Sequence, residues 1–340
     1  MVTYKWIMLI TLLGAFLRFA DLGKAPLWID EAMLGTHMLT QQEYIGNILI
    51  VHDDMWLRFP YALAGTLTIP VFWWAMRRRP LAIWGSLFVA VFPLFVFWSR
   101  MARPYALAGL FVAIGWVPSL WWMGIFSLLS TPAALIGMNF KKIPWWGIVF
   151  VVALTVGFYF TRVDVIAGKS FFDLNFISAA SRLWYLPILT VLLWGCEYIK
   201  DKKHIIKSAI ALLSVWFLLS SFEIPQYRYG YIPKWYAGYV AFADWRTVPV
   251  CDFVTNVAPY IWYTNKEVCS YRPNDINLFQ EQLEKKQTLR VGIDYYALNI
   301  SRNMVPQDIL SRYGNYLAQG GVLVLEAKKE KNKITYKVIP

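Results

Sequence analysis

Adjacent carboxylates at Asp30 and Glu31, in the stretch Leu27-Trp28-Ile29-Asp30-Glu31-Ala32, are groups able to do acid–base work. A carboxylate here can take a proton from an acceptor hydroxyl, and its neighbour can orient it or hold a divalent cation. A solvated acidic turn or a helix N-terminal cap would use the same two residues. Arginines supply a second chemistry: Arg58 opens an apolar run, and Arg100 and Arg103 lie in Trp98-Ser99-Arg100-Met101-Ala102-Arg103-Pro104-Tyr105. Guanidinium groups suit bidentate contact with a phosphate, and equally reach lipid headgroups from a helix end.

Other polar stretches carry less. The segment 161–182 mixes Arg162, Asp164, Lys169, Asp173 and Arg182, a set that could cover a donor headgroup or form an ordinary hydrated loop. His37 and His52 sit in an acidic loop without zinc-type spacing, so no structural metal site is expected. No phosphate-cradling glycine loop and no Gly-x-Ser-x-Gly elbow occurs, which argues against nucleotide hydrolysis and serine-esterase chemistry. Asn299-Ile300-Ser301 is a sequon that matters only in a glycosylating host.

The elements that would position these residues are strongly apolar. The 340 residues are 58% hydrophobic and only 16% charged, with mean hydropathy +0.43, against roughly a quarter charged in an ordinary soluble domain. Many of the 18 Trp, 20 Tyr and 22 Phe fall near the ends of apolar runs, as in a membrane interface. These features predict a polytopic α-helical membrane protein. Apolar runs cover 4–20, 59–76, 81–98, 105–140, 143–161, 183–199 and 205–222. Pro118 and Thr131-Pro132 break the longest, so the expectation is about seven spans, or nine with a re-entrant hairpin. Arg77-Arg78-Arg79, Lys141-Lys142 and Lys200-Asp201-Lys202-Lys203 all face the cytoplasm if the N-terminus is inside, which places the loop 21–58 outside. The net charge of +12 is thus read as topology, and no nucleic-acid partner is expected.

Composition shifts near residue 222. Residues 1–222 form the membrane part, 223–243 an aromatic interfacial linker, and 244–340 a small extracytoplasmic α/β domain. In the last, Leu289 to Tyr296 reads as a strand, Pro306 to Leu317 as a helix, and Gly321 to Ala327 with Ile334 to Val338 as a hairpin. Cys251 and Cys269 could pair in an oxidising compartment, whereas Cys196 reads as a packed hydrophobe.

The ordered set of motifs resembles the C-type membrane glycosyltransferases, in the branch of protein O-mannosyltransferases and aminoarabinose transferases of lipid A. It runs from Leu17-Arg18-Phe19 and Leu22-Gly23 through Trp28-Ile29-Asp30-Glu31-Ala32 to Leu57-Arg58-Phe59-Pro60 with Ala62-Leu63-Ala64-Gly65. It continues with Pro93 through Trp98, then Ala102-Arg103-Pro104-Tyr105-Ala106-Leu107, and Asp244-Trp245-Arg246. The resemblance implies an inner-membrane enzyme that takes a sugar from a polyprenyl-phosphate donor in the lipid bilayer. The sugar would pass, with inversion, to an extracytoplasmic glycan, lipid or protein. It implies Asp30 as general base, Glu31 as its support or a metal ligand, Arg58 and Arg103 on the donor phosphate, and Tyr105 packed beside it. Relatives carry a His-Pro-Pro-Leu-type segment and a further helix after the acidic pair; here residues 32–57 alone separate the pair from Arg58. That shortening is compatible with a second function, a catalytically silent subunit that holds a lipid-linked sugar.

Overall fold

The computed structural model describes residues 2–23, 27, 31–32, 53–103, 105–130, 137–139, 143–150, 153, 185–198, 206–207, 210, 245–246, 248–264, 266–294, 297, 301, 303–318, 321–330 and 333–339. The chain divides into two compact units: Met1–Leu22 with Arg58–Pro233, and Gly23–Leu57 with Lys234–Pro340.

The described residues of the first unit are mainly helical. Helix α1 (Val2–Phe19) is apolar apart from Thr3, Lys5, Thr11 and Arg18. Packing against later helices selects Ile7, Ile10 and Leu17 for burial, while Tyr4, Met8, Leu12 and Phe16, at four-residue steps, stay exposed. The helix stops where Asp21 takes a left-handed backbone (φ 55°). Helix α2 (Asp54–Met76) contributes its residues from Arg58 onward and tolerates Pro60 and Pro70 inside it. Its buried hydroxyls Thr66 and Thr68 donate to the carbonyls of Ala62 and Ala64, each at 2.8 Å, so neither is left unsatisfied. Helices α3 (Ala82–Val91) and α4 (Pro93–Ser99) follow, then α5 (Tyr105–Gly115), α6 (Met123–Ser130) and α7 (Tyr185–Tyr198). Gly115 and Gly124 let α5 and α6 approach closely: a Cβ on Gly115 would lie 2.8 Å from the Gly124 Cα.

The expectation of a polytopic inner-membrane protein is corrected here. Among the described residues, no helix is long and apolar enough to cross a membrane. Two of the apolar runs, 81–98 and 105–140, are cut into shorter pieces, while most of 143–161, 205–222 and the linker 223–243 lie outside the described residues. The run 81–98 breaks at Phe92, held extended (φ −64°, ψ 123°) by the proline that follows, leaving helices of 10 and 7 residues. The run 105–140 breaks after Gly115 and again at Pro118, and 183–199 yields a helix of 14 residues. At 1.5 Å per residue these pieces are about 10–21 Å long, against a hydrocarbon core of about 30 Å. The longer α2 holds Asp54 and Arg58 with its two prolines, and α1 holds Lys5 and Arg18. The basic cluster also has an intramolecular use, since Arg79 meets Glu197 through Nη2–Oε1 at 2.5 Å and Nε–Oε2 at 3.2 Å. The placement of the N-terminus inside and the C-terminal domain outside falls with the spans that supported it.

The second unit is an α/β structure. Among the described residues, five strands, β1 (Phe253–Val254), β2 (Cys269–Ser270), β3 (Thr288–Ile293), β4 (Leu323–Glu330) and β5 (Lys333–Ile339), form one sheet in the order β2-β1-β3-β4-β5. β1 pairs in parallel with β2 and β3, whereas β3–β4 and β4–β5 are antiparallel. Period-two alternation sends Leu289, Val291 and Ile293 into one core with Phe253, Phe279 and Leu325. Val254 and Val324 face a smaller core with Trp245 and Tyr260. Gly292 is required on that face because a Cβ there would lie 2.7 Å from the Trp245 ring. Helix α8 (Val257–Thr264) follows β1, and α9 (Ile276–Lys286) buries Phe279 and Leu283. Helix α10 (Gln307–Ala318) buries Ile309, Leu310 and Leu317. Within this unit Asp54 accepts from Trp262 Nε1 at 2.7 Å and from the Tyr263 hydroxyl at 2.8 Å, tying the segment 23–57 to α8.

Candidate functional site

The predicted residues divide between the two units. Arg58, Arg103 and Tyr105 belong to the first, and the acidic pair to the second. Asp30 lies outside the described residues, as do His37, His52, Asn299 and the loop 161–182. Glu31 is helical and fully buried, with Ala32 and Leu27 buried beside it in sequence. A buried carboxylate is tolerated only when engaged, and Glu31 is engaged. The solvated-turn reading therefore does not apply to Glu31.

The arginines serve the exit of α1. A helix end leaves four carbonyls without intrahelical partners, and cations near it also complement the helix dipole. Arg100 Nη1 donates to the carbonyls of Leu17 at 3.0 Å and Ala20 at 2.6 Å, and Nη2 reaches Asp21 O at 3.3 Å. Arg58, only 2% exposed, donates from Nη1 to Leu22 O at 3.1 Å. The two guanidinium groups thus converge on residues 17–22. Arg103 is half-buried, its guanidinium carbon 5.8 Å from the centre of the Tyr105 ring, within cation–π reach. Tyr105 in turn packs edge-on against the buried Trp98, with ring centres 4.7 Å apart. Of the predicted donor-phosphate residues, Arg103 and Tyr105 are in contact, and Arg58 sits on the α1 exit with Arg100.

Two roles escaped the sequence. Arg18 is fully buried: Nη1 donates to Gly14 O at 3.0 Å and Ala90 O at 2.9 Å, and Nη2 to Val89 O at 2.9 Å, closing the last turn of α3. Arg100 caps a helix instead of reaching lipid headgroups. A cationic residue beside a helix end was the available signal for both.

Among the described residues, no group of three or more His, Cys, Asp or Glu is placed to hold a metal ion. Cys251 and Cys269 are both free. Burial, reinforced by Asp252 and only partly opposed by Arg290, pushes the Cys251 thiol up to about 12. At pH 8 only about one such thiol in ten thousand is ionised. Iodoacetamide is therefore expected to modify the half-buried Cys269 well before Cys251 in the native protein, as read by peptide mass mapping. Equal labelling would contradict this.

Compared with protein-family models, curated proteins and solved structures, the chain matches none.

Proposed function

We propose that the chain is a glycosyltransferase that moves a sugar from a polyprenyl-phosphate donor to a hydroxyl of a glycan, lipid or protein. The observation that carries the reading is the convergence of Arg58 and Arg100 on residues 17–22, with Arg103 against Tyr105 a few residues further on. A phosphate leaving group needs concentrated positive charge, and guanidinium groups meet phosphate oxygens two at a time. In the reaction the acceptor oxygen bonds to the anomeric carbon and its proton passes to Asp30. The bond from that carbon to the phosphate oxygen breaks, and polyprenyl phosphate leaves with the electron pair. Arg58 and Arg103 balance the charge that develops, Tyr105 packs beside it, and Glu31 positions the base. No step is assigned to a divalent cation.

The short stretch between the acidic pair and Arg58, residues 32–57 alone, favours a second reading, in which the chain binds a lipid-linked sugar without transferring it. The test is transfer of radiolabelled sugar from synthetic polyprenyl-phosphate sugars by the purified protein, alongside donor titration. Transfer by the wild type supports the enzyme, and binding without transfer supports the second reading. Arg58→Ala and Arg103→Ala are each expected to weaken donor binding about tenfold or more. Unchanged donor affinity in folded variants would sink their phosphate roles.

A further inference from the structure

We propose that the carboxyl end of the parallel strands in the second unit binds a neutral polyhydroxyl ligand, a free sugar or glycan end, through Asn256 and Asp294. The strand order β2-β1-β3 means that the chain leaves β1 for β2 on one side and returns to β3 on the other. In open α/β sheets, ligands bind outside the carboxyl ends of the strands at such a reversal.

The residues just beyond those strand ends are polar and buried. Thr255 and Asn256 follow β1, and Asp294 follows β3, with exposures of 1%, 4% and 1%. Thr255 and Asp294 are locked reciprocally: the Thr255 hydroxyl donates to Asp294 Oδ1 at 2.8 Å and accepts from the Asp294 N–H at 3.0 Å. This fixes the Asp294 carboxylate at the mouth of the β1–β3 pair.

Asn256 points to a ligand. It directly precedes α8, where an asparagine side chain ordinarily accepts from the backbone N–H of the second or third helical residue. The third residue here is Pro259, which has no N–H, and Asn256 Oδ1 does not bond the N–H of the second, Ala258, either. Among the described residues, Asn256 Oδ1 is buried with no hydrogen-bond partner. An asparagine kept at this cost, beside the first-turn amides of α8, supplies an acceptor and donors for hydroxyl groups.

The chemistry selects the ligand class. A nucleoside diphosphate needs a glycine-rich turn after the first strand, and Thr255-Asn256-Val257-Ala258-Pro259 has no glycine. The Asp294 carboxylate held on Thr255 disfavours a free anion at the helix start, while the Arg272 cation is engaged with the same residue, donating from Nε to the Thr255 carbonyl at 3.5 Å. A sugar ring, with hydroxyls that both donate and accept, matches carboxylate, amide and helix N–H groups together. This goes beyond the transferase reading and does not depend on it, since binding is measured without any lipid-linked donor.

The test is saturation-transfer NMR on the full chain with methyl α-mannoside, methyl β-glucoside and methyl α-arabinoside, with inorganic phosphate as competitor. At least one methyl glycoside is expected to bind, phosphate not to compete, and Asn256→Leu to weaken binding about tenfold or more. Because the variant removes an unsatisfied acceptor that caps nothing, its melting temperature is expected to stay level or rise. A structural asparagine would instead lose stability. Asp294→Asn, which keeps an acceptor for Thr255 but removes the charge, is expected to weaken the same ligand and serves if Asn256→Leu does not fold. Absence of glycoside binding, unchanged binding in a folded variant, or displacement by phosphate would each overturn the proposal.

Discussion

Replacing Asp30 by asparagine is expected to lower the rate of sugar transfer about 10²- to 10⁴-fold while leaving donor affinity unchanged. The substitution keeps size and hydrogen-bonding capacity but removes the one property that the proposed role demands, a carboxylate able to accept the acceptor's proton. A hydroxyl is a poor nucleophile until that proton has somewhere to go, so the loss falls on turnover and not on donor binding. Initial rates of radiolabel transfer at saturating donor measure it. The acid limb of the wild-type pH–rate profile is expected to disappear in the variant, because that limb reports the base. A variant that keeps the wild-type rate and profile would remove Asp30 from the chemistry. Glu31 is a different case: its complete burial means that Glu31→Gln perturbs packing and partners together, so it cannot isolate a chemical step.

Legibility differed between the two units for physical reasons. In the second, the strand read at Leu289 to Tyr296 is found as β3 at Thr288–Ile293, where Leu289, Val291 and Ile293 alternate and Asp294 already lies beyond the strand. The helix read at Pro306 to Leu317 is found at Gln307–Ala318, and the hairpin is β4–β5. Strands β1 and β2, each of two residues, are too short for any period to show, so the strand reversal and the residues beyond it stayed hidden. In the first unit, an apolar run is the same string whether it crosses a bilayer or packs as a short helix. Hydropathy summed across Phe92 joined two helices that the backbone separates, whereas the break at Pro118 was legible from the proline itself. For the site, residue types suggested phosphate-binding arginines, but which carbonyl each guanidinium meets is a property of the fold. Position beside a helix end marks Arg100 and Arg18 as capping candidates, but the carbonyls they meet, up to 83 residues away in sequence, are set by the fold.

Arg18→Ala is expected to destabilise the first unit by about 3–5 kcal/mol, among the largest effects available to a single substitution in the chain. The side chain is fully buried, and three of its hydrogen bonds end on carbonyls, of Gly14, Val89 and Ala90. Val89 and Ala90 lie in the last turn of α3, where carbonyls lack intrahelical partners and the helix dipole is negative. Truncation leaves them unsatisfied in a dry interior and opens a cavity along the lost side chain, and both terms have the same sign. Two glycines mark how closely the guanidinium is enclosed. A Cβ on Gly14 would lie 3.2 Å from Arg18 Nη1, and one on Gly65 would lie 3.0 Å from Arg18 Nε. For a unit of this size the loss corresponds to a fall in melting temperature of about 6–20 °C by calorimetry. Arg18→Lys keeps the charge but offers a single ammonium to carbonyls that a planar fork meets together, so it is expected to fall between the two. An Arg18→Ala protein that melts with the wild type would show that the last turn of α3 does not depend on this side chain.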